Sequence, residues 1–173
     1  MIKQFAAQIG LVNPKSPTNV GSVLRAAGCY GAQKVLYTGE RFDRAIKFQT
    51  DTKDRIQTTP LEKVDGFIDK LSPNTEIVCV DLIEGAIALP QFDHPANALY
   101  VFGPEDSSLS QELVDKSHHR VYVPTIGCMN LAASVNVVLY DRQAKLGLAL
   151  SRDEQNNHIR ENRDQNNRLR VPS

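Results

Sequence analysis

The segment Val121–Arg142 constrains this chain more than any other. Val121 to Val123 form a short apolar run that Pro124 ends, because proline has no N–H to give a strand ladder. Gly127 lies in a short crossing, and a helix is expected from about Asn130 with Leu131, Val135, Val138 and Leu139 on one face. The residues at the junction are small or carry an amide: Gly127, Cys128, Asn130, Ala132, Ala133 and Ser134. Small side chains let a backbone or a ligand come close, and the unpaired N–H groups of a helix start can hold polar ligand atoms. The same segment also reads as an ordinary strand-loop-helix unit of an α/β domain, with no ligand.

The remaining chain repeats that alternation. Strands are expected over 4–12, 34–37, 76–82, 98–102 and 120–123. A first helix is expected over 19–30, capped by Ser16 or Thr18 and closed by Gly31. Residues 39–59 are polar, with Arg41, Arg44, Lys47, Lys53 and Arg55 among acids and room for one short helical turn. Thr59-Pro60 resembles a helix start, so a helix is expected to Leu71. Residues 85–95 read as a connection, and Ser108 with Gln111 as a capping box for a helix to about Lys116. The last long helix should end near Gly147 or Leu150. Together these elements predict an α/β fold with a mainly parallel sheet flanked by helices, in one domain over residues 1–150. Residues 151–173 read as a mobile polar tail or a loosely docked helix, whose arginines are solvated or touch RNA.

Composition excludes several classes. Twenty basic and twenty acidic residues cancel, so any nucleic-acid surface must be local. Three cysteines, Cys29, Cys79 and Cys128, form no CxxC pair, which argues against a zinc site or a disulfide framework and suits a reducing cytoplasm. No apolar run reaches bilayer length, and the start of the chain has no signal-peptide cleavage pattern. His94, His118, His119 and His158 lack metal-ligand spacing and read as surface residues. The G-x-G-x-x-G, G-x-x-x-x-G-K-[ST] and G-x-S-x-G patterns are absent.

Two further stretches can carry chemistry. On the first helix Gly21 and Arg25 share a face, leaving space beside a guanidinium that can grip a phosphate, and Asn19 sits at the helix start. A surface arginine on a core helix is the plainer reading. In the second stretch a buried strand ends at Gly103-Pro104 and Glu105 follows. Ligands in open α/β sheets sit beyond the carboxyl ends of strands, which makes Glu105 a candidate site acid. A purely local role, bonding backbone N–H groups at the next helix start, fits equally well.

The three stretches in this order resemble the SpoU/TrmH-type RNA ribose methyltransferases of the SPOUT superfamily. N-x-G-x-x-x-R appears as Asn19, Gly21 and Arg25, F-G-P-E as Phe102 to Glu105, and the third motif as Val123-Pro124 followed by Cys128 to Ser134. The short chain looks most like the minimal members, which include the tRNA wobble-ribose methyltransferases of the TrmL type. Cys128 stands where the family usually has Ser, Ala132 and Ser134 depart from its Ser and Ala, Thr125 stands where Met is frequent, and the loop before Cys128 is short.

The resemblance implies a deep C-terminal trefoil knot and an obligate homodimer, each site completed by the partner's first motif, that transfers a methyl group from S-adenosylmethionine to a ribose 2′-hydroxyl of tRNA or rRNA. It implies catalytic roles for Arg25, Asn19, Glu105 and Asn130, and no metal. Cofactor contacts are implied for Leu82, Gly103, Val123, Pro124, Cys128, Leu131 and Ala133, and an RNA contact for Arg25; Arg41 and Arg44 are candidate RNA contacts as basic residues of the polar stretch. Two other readings of the residues stay open: a knotted RNA-binding dimer without catalysis, and a small-molecule-binding α/β module.

Overall fold

The computed structural model describes residues 6–47, 59–147 and 150–172. Within them a seven-stranded sheet runs in the order β3-β2-β1-β6-β4-β7-β5, and every pairing is parallel. The strands are β1 (Ala6–Leu11), β2 (Val35–Tyr37), β3 (Leu61–Lys63), β4 (Glu76–Val80), β5 (Ile87–Ala88), β6 (Asn97–Phe102) and β7 (His119–Tyr122). The helices are α1 (Pro17–Cys29), α2 (Arg41–Ile46), α3 (Gln111–Lys116), α4 (Leu131–Leu146) and α5 (Arg152–Asn162). The central strands β1, β4 and β6 are buried along nearly their whole length, as expected of a parallel sheet covered on both faces.

Strand alternation divides the core in two. Ile9, Leu11, Tyr100 and Phe102 face α1 and α4, where Val20, Val23, Leu24, Val135, Val138 and Leu139 complete the larger cluster. Leu99, Val101, Ile77 and Cys79 face the other way, onto Val64 and Phe67. α1 begins at Ser16, whose hydroxyl accepts from the Asn19 amide, with Pro17 in the first turn where its missing N–H costs nothing. α4 begins at Asn130 and stops at Gly147, which takes the left-handed conformation (φ 77°) that a side chain would resist. Both ends match the expectation. These two helices pack side by side and bring Asn19 and Asn130 to the same end of the sheet.

Several expected elements differ. The helix expected from Pro60 to Leu71 is instead β3, followed by a single 3-10 turn at Ile68–Lys70. Leu61, Val64, Phe67 and Leu71 do have helical spacing, but the open edge of β2 wins: Val35 N–H donates to Pro60 O and Val64 N–H to Tyr37 O. Pro60 sits just before the strand, where it removes no ladder donor. The capping box at Ser108 does not form. Ser110 caps α3 by accepting from Leu113 N–H, and Gln111 bonds Asp115 within the helix. α2 supplies the short turn expected in the polar stretch, whereas Lys53 and Arg55 lie outside the described residues, as do residues 4 and 5 of the first expected strand. Past residue 150, α5 is exposed along its length, with Ser151 and Glu154 forming a reciprocal cap.

Candidate active site

Three loops meet beyond the carboxyl ends of β1, β6 and β7, and one chain of hydrogen bonds ties them. Glu105, in the loop after β6, accepts from Lys15 N–H (2.9 Å) and Ser16 N–H (3.0 Å) in the loop before α1. It also accepts from the Asn19 side-chain amide at 3.1 Å. Asn19 Oδ1 in turn accepts from Asn130 Nδ2 at 3.2 Å. Asn130 Oδ1 accepts from Ala132 N–H at 2.9 Å and Ala133 N–H at 3.4 Å, capping α4. An ionised carboxylate only accepts, so Glu105 fixes which way the Asn19 amide points. Asn130 then has a single orientation that serves both the helix and Asn19. Burial pushes the Glu105 carboxyl up, but the Lys15 amide, its own backbone N–H, the Ser16 amide and the Asn19 side chain outweigh it and hold the group below the usual carboxylate range. Glu105 therefore bonds backbone N–H groups at the start of α1, far away in sequence, and not those of the helix that follows it.

Beside this chain lies a cleft of about 370 Å³, a ligand-sized volume, at the ends of β4, β6 and β7. Val80, Leu82, Phe102, Val123 and Leu131 give it apolar walls, and Ser107, Ser108, Thr125 and Ser134 add polar atoms. Gly103 is a cradle: a Cβ there would lie 3.3 Å from Asp81 Oδ2 and from Leu109 N. Of the expected cofactor contacts, Leu82, Gly103, Val123, Cys128 and Leu131 line the cleft, as does Glu105. Pro124 and Ala133 flank it without lining it. The Cys128 thiol is exposed, and Gly127 turns the loop at φ 94°. An apolar cleft with a few polar groups fits a nucleoside-bearing cofactor such as S-adenosylmethionine.

The basic residues are placed differently. Arg25 is exposed on α1 and does not line the cleft of its own chain. Arg41 makes a two-pronged pair with Asp106 at 2.9 and 3.2 Å, next to Glu105 in sequence. Arg44 is exposed on α2. Among the described residues no group of three or more His, Cys, Asp or Glu is arranged to hold a metal ion.

Sequence reasoning missed Asp81, Ser107 and Ser108 in the cleft. Asp81 falls inside the strand expected over 76–82, but β4 stops at Val80 and leaves this acid at the strand's carboxyl end. His94 was expected at the surface, whereas the imidazole is buried. His94 Nε2–H donates to Asp141 at 2.8 Å, and Nδ1 accepts from the Tyr100 hydroxyl at 2.6 Å. That hydroxyl accepts from Arg142 at 3.0 Å, and the buried Arg142 guanidinium also donates to Pro95 O and Ala96 O, both at 2.7 Å. Arg142 falls on the same helical face as Val135, Val138 and Leu139, a periodicity that marks it as inward-facing. This network pins the far half of α4 to the approach to β6. Burial pulls the His94 pKa down against the pull of Asp141.

The family model for the SpoU rRNA Methylase family matches residues 6–140. The chain belongs to the SpoU rRNA Methylase family. It is 22% identical over 144 residues to an uncharacterized tRNA/rRNA methyltransferase of Synechocystis, which covers 78% of this chain and 53% of the relative. The chain thus spans about half the length of that curated relative. It is 25% identical over 155 residues to a tRNA (cytidine(34)-2′-O)-methyltransferase of Aeromonas hydrophila, covering 84% of this chain and 98% of the relative. The fold matches the AdoMet-bound rRNA methyltransferase from Sinorhizobium meliloti with a TM-score of 0.68 at 19% identity, covering 86% of this chain and 58% of that one.

In this SpoU family member two of the third-motif departures, Ala132 and Ser134, hydrogen-bond to Asn130. Ala132 replaces a serine but contributes its backbone N–H to Asn130, which needs no side chain. Ser134 lines the cleft and donates its hydroxyl to Asn130 O at 3.1 Å.

Proposed function

We infer that this protein is an S-adenosylmethionine-dependent RNA methyltransferase acting on a ribose 2′-hydroxyl of tRNA or rRNA. It works as a homodimer, with residues 1–150 as the methyltransferase domain and 151–173 as an appended tail. The observation that carries this reading is the Glu105–Asn19–Asn130 chain beside a cofactor-sized cleft. A deep trefoil knot through the segments around β6, β7 and α4 belongs to the same reading. β4 lying between β6 and β7 in the sheet, with the ends of all three at the cleft, supports it.

Bound in the cleft, S-adenosylmethionine supplies a methyl group on a positively charged sulfur. The walls at Leu82, Val123 and Leu131 and the close backbone at Gly103 would hold it. The protein must then align the hydroxyl with that methyl and let its proton leave. A guanidinium makes a poor base, so the proton is not assigned to Arg25. Its guanidinium binds the neighbouring RNA phosphate and steadies the developing alkoxide, while a phosphate oxygen or water takes the proton. In this reading each site is completed by the guanidinium of a second copy, and the position of Arg25 outside the lining of its own chain's cleft supports it. α4 exposes Val137 and Tyr140, apolar surface suited to that copy. Glu105, Asn19 and Asn130 act as positioning residues. Arg44 is a second phosphate ligand, and Arg41 becomes one only by leaving Asp106.

The test is labelled methyl transfer into bulk tRNA and rRNA beside calorimetry with S-adenosylmethionine. Wild-type protein should bind the cofactor and label ribose, and Arg25→Ala should abolish labelling while leaving cofactor affinity nearly unchanged. Cofactor binding with no transfer to any RNA would instead assign a non-catalytic RNA-binding role. Absence of both cofactor and RNA binding would assign the small-molecule module.

A further inference from the structure

We propose that Asp81 is a charge filter that makes the cleft select a cationic ligand over its neutral counterpart. The inference rests on the cofactor reading above and adds a residue to which the family motifs assign no role. Asp81 follows β4 directly, and its backbone N–H donates to Val121 O at 3.1 Å, which fixes it between two strand ends. Its carboxylate lines the cleft and is held on both oxygens: Oδ1 accepts from Leu82 N–H at 2.7 Å and Oδ2 from Leu109 N–H at 2.9 Å. A carboxylate has about four lone-pair positions, so these two bonds orient the group and leave acceptor capacity for a ligand. Gly103 lets it sit that close, since a Cβ at 103 would meet Asp81 Oδ2 at 3.3 Å.

Charge in the cleft is one-sided. Among the described residues, Asp81 and Glu105 are its only acidic lining residues, and no Lys, Arg or His lines it. Glu105 spends its acceptor capacity on Lys15, Ser16 and Asn19, which leaves Asp81 as the carboxylate available to a ligand. Arg41, a cation close in sequence to neither, is paired with Asp106 outside the lining. A ligand whose sulfur carries a positive charge gains from this field, and the same ligand after losing its methyl group does not. The filter thus favours loading of the methyl donor and release of the neutral thioether product.

The experiment compares three ligands by calorimetry on the full chain: S-adenosylmethionine, its demethylated thioether S-adenosylhomocysteine, and sinefungin, in which an amine-bearing carbon replaces the sulfonium. Asp81→Asn keeps the shape and removes the charge. Affinity for S-adenosylmethionine and sinefungin should fall about ten-fold relative to that for the thioether, the size expected for one charge at a few ångströms in a partly solvated cleft. An equal loss for all three ligands would overturn the proposal, because it would make Asp81 only a pin for Leu82 and Leu109; an unchanged ratio would overturn it too. Wild-type protein gives a second reading that survives misfolding of the variant. Its preference for the two cations should shrink as salt rises from about 50 to about 500 mM, where charges are screened over a few ångströms, and a salt-independent preference would refute the filter. Failure of wild type to bind any of the three would sink the cofactor reading itself, a result distinct from an unaltered ratio.

Discussion

Exchanging Glu105 for glutamine changes almost no volume, yet the hydrogen-bond chain has no way to absorb it. The carboxylate accepts from three donors, two on Oε1 and one on Oε2. Glutamine offers one acceptor oxygen and one NH₂ group. If the oxygen takes the place facing Ser16 and Asn19, the NH₂ confronts Lys15 N–H. If it faces Lys15, the NH₂ confronts Ser16 N–H and the Asn19 amide. Asn19 could then turn over, but its own NH₂ would meet that of Asn130, which cannot turn because its oxygen caps α4. Hydrogen bonds to charged groups contribute about 1.5–3 kcal/mol, and this rim is exposed, so Glu105→Gln should cost about 1–2 kcal/mol. Asn19→Asp alone should cost about the same by facing Glu105 with a like charge. Together the two changes move the carboxylate one link along the chain: the introduced aspartate accepts both from the introduced glutamine amide and from Asn130, and only the Ser16 N–H loses its acceptor. Urea denaturation of the wild type, the two single variants and the double variant should therefore give a favourable coupling of about 1–2 kcal/mol. Additivity within about 0.5 kcal/mol would refute the relay, since that is how sites without shared partners behave.

Three other outcomes follow from the same structure. Arg142→Ala strands Pro95 O, Ala96 O and the Tyr100 hydroxyl and should lower unfolding free energy by about 3–5 kcal/mol; Arg142→Lys should recover only part, because an ammonium cannot span the fork. Burial keeps His94 neutral in the fold, so the unfolded chain takes up its proton first. Stability should be full above the unfolded imidazole value of about 6.5 and fall as pH drops below it, a slope that chemical denaturation should find flattened in His94→Gln. Gly103→Ala pushes a methyl against Asp81 and Leu109 and should weaken S-adenosylmethionine binding in calorimetry about ten-fold or more, with a small change in melting temperature; unaltered affinity would remove Gly103 from the cofactor cradle.

The parallel α/β class, the ends of α1 and α4, and the three site stretches are set by local chemistry that can be read along the chain. Ser16-Pro17, Asn130 and Gly147 act through neighbours within a turn, and buried β-branched runs announce central strands. What sequence could not show is which distant groups complete one another. β3 exists because β2 leaves an edge unpaired, against the helical spacing of its own residues. His94 and Arg142 are buried because Tyr100 and the carbonyls at 95 and 96 satisfy them from elsewhere in the chain, so charge alone misplaces them. Glu105 read equally well as a site acid and as a partner for the next helix start, and only the packing of α1 against α4 made it the anchor that orients two asparagines. Hydrogen-bond partners more than 80 positions apart leave no periodic trace in a sequence, since their pairing is a property of the folded distances alone.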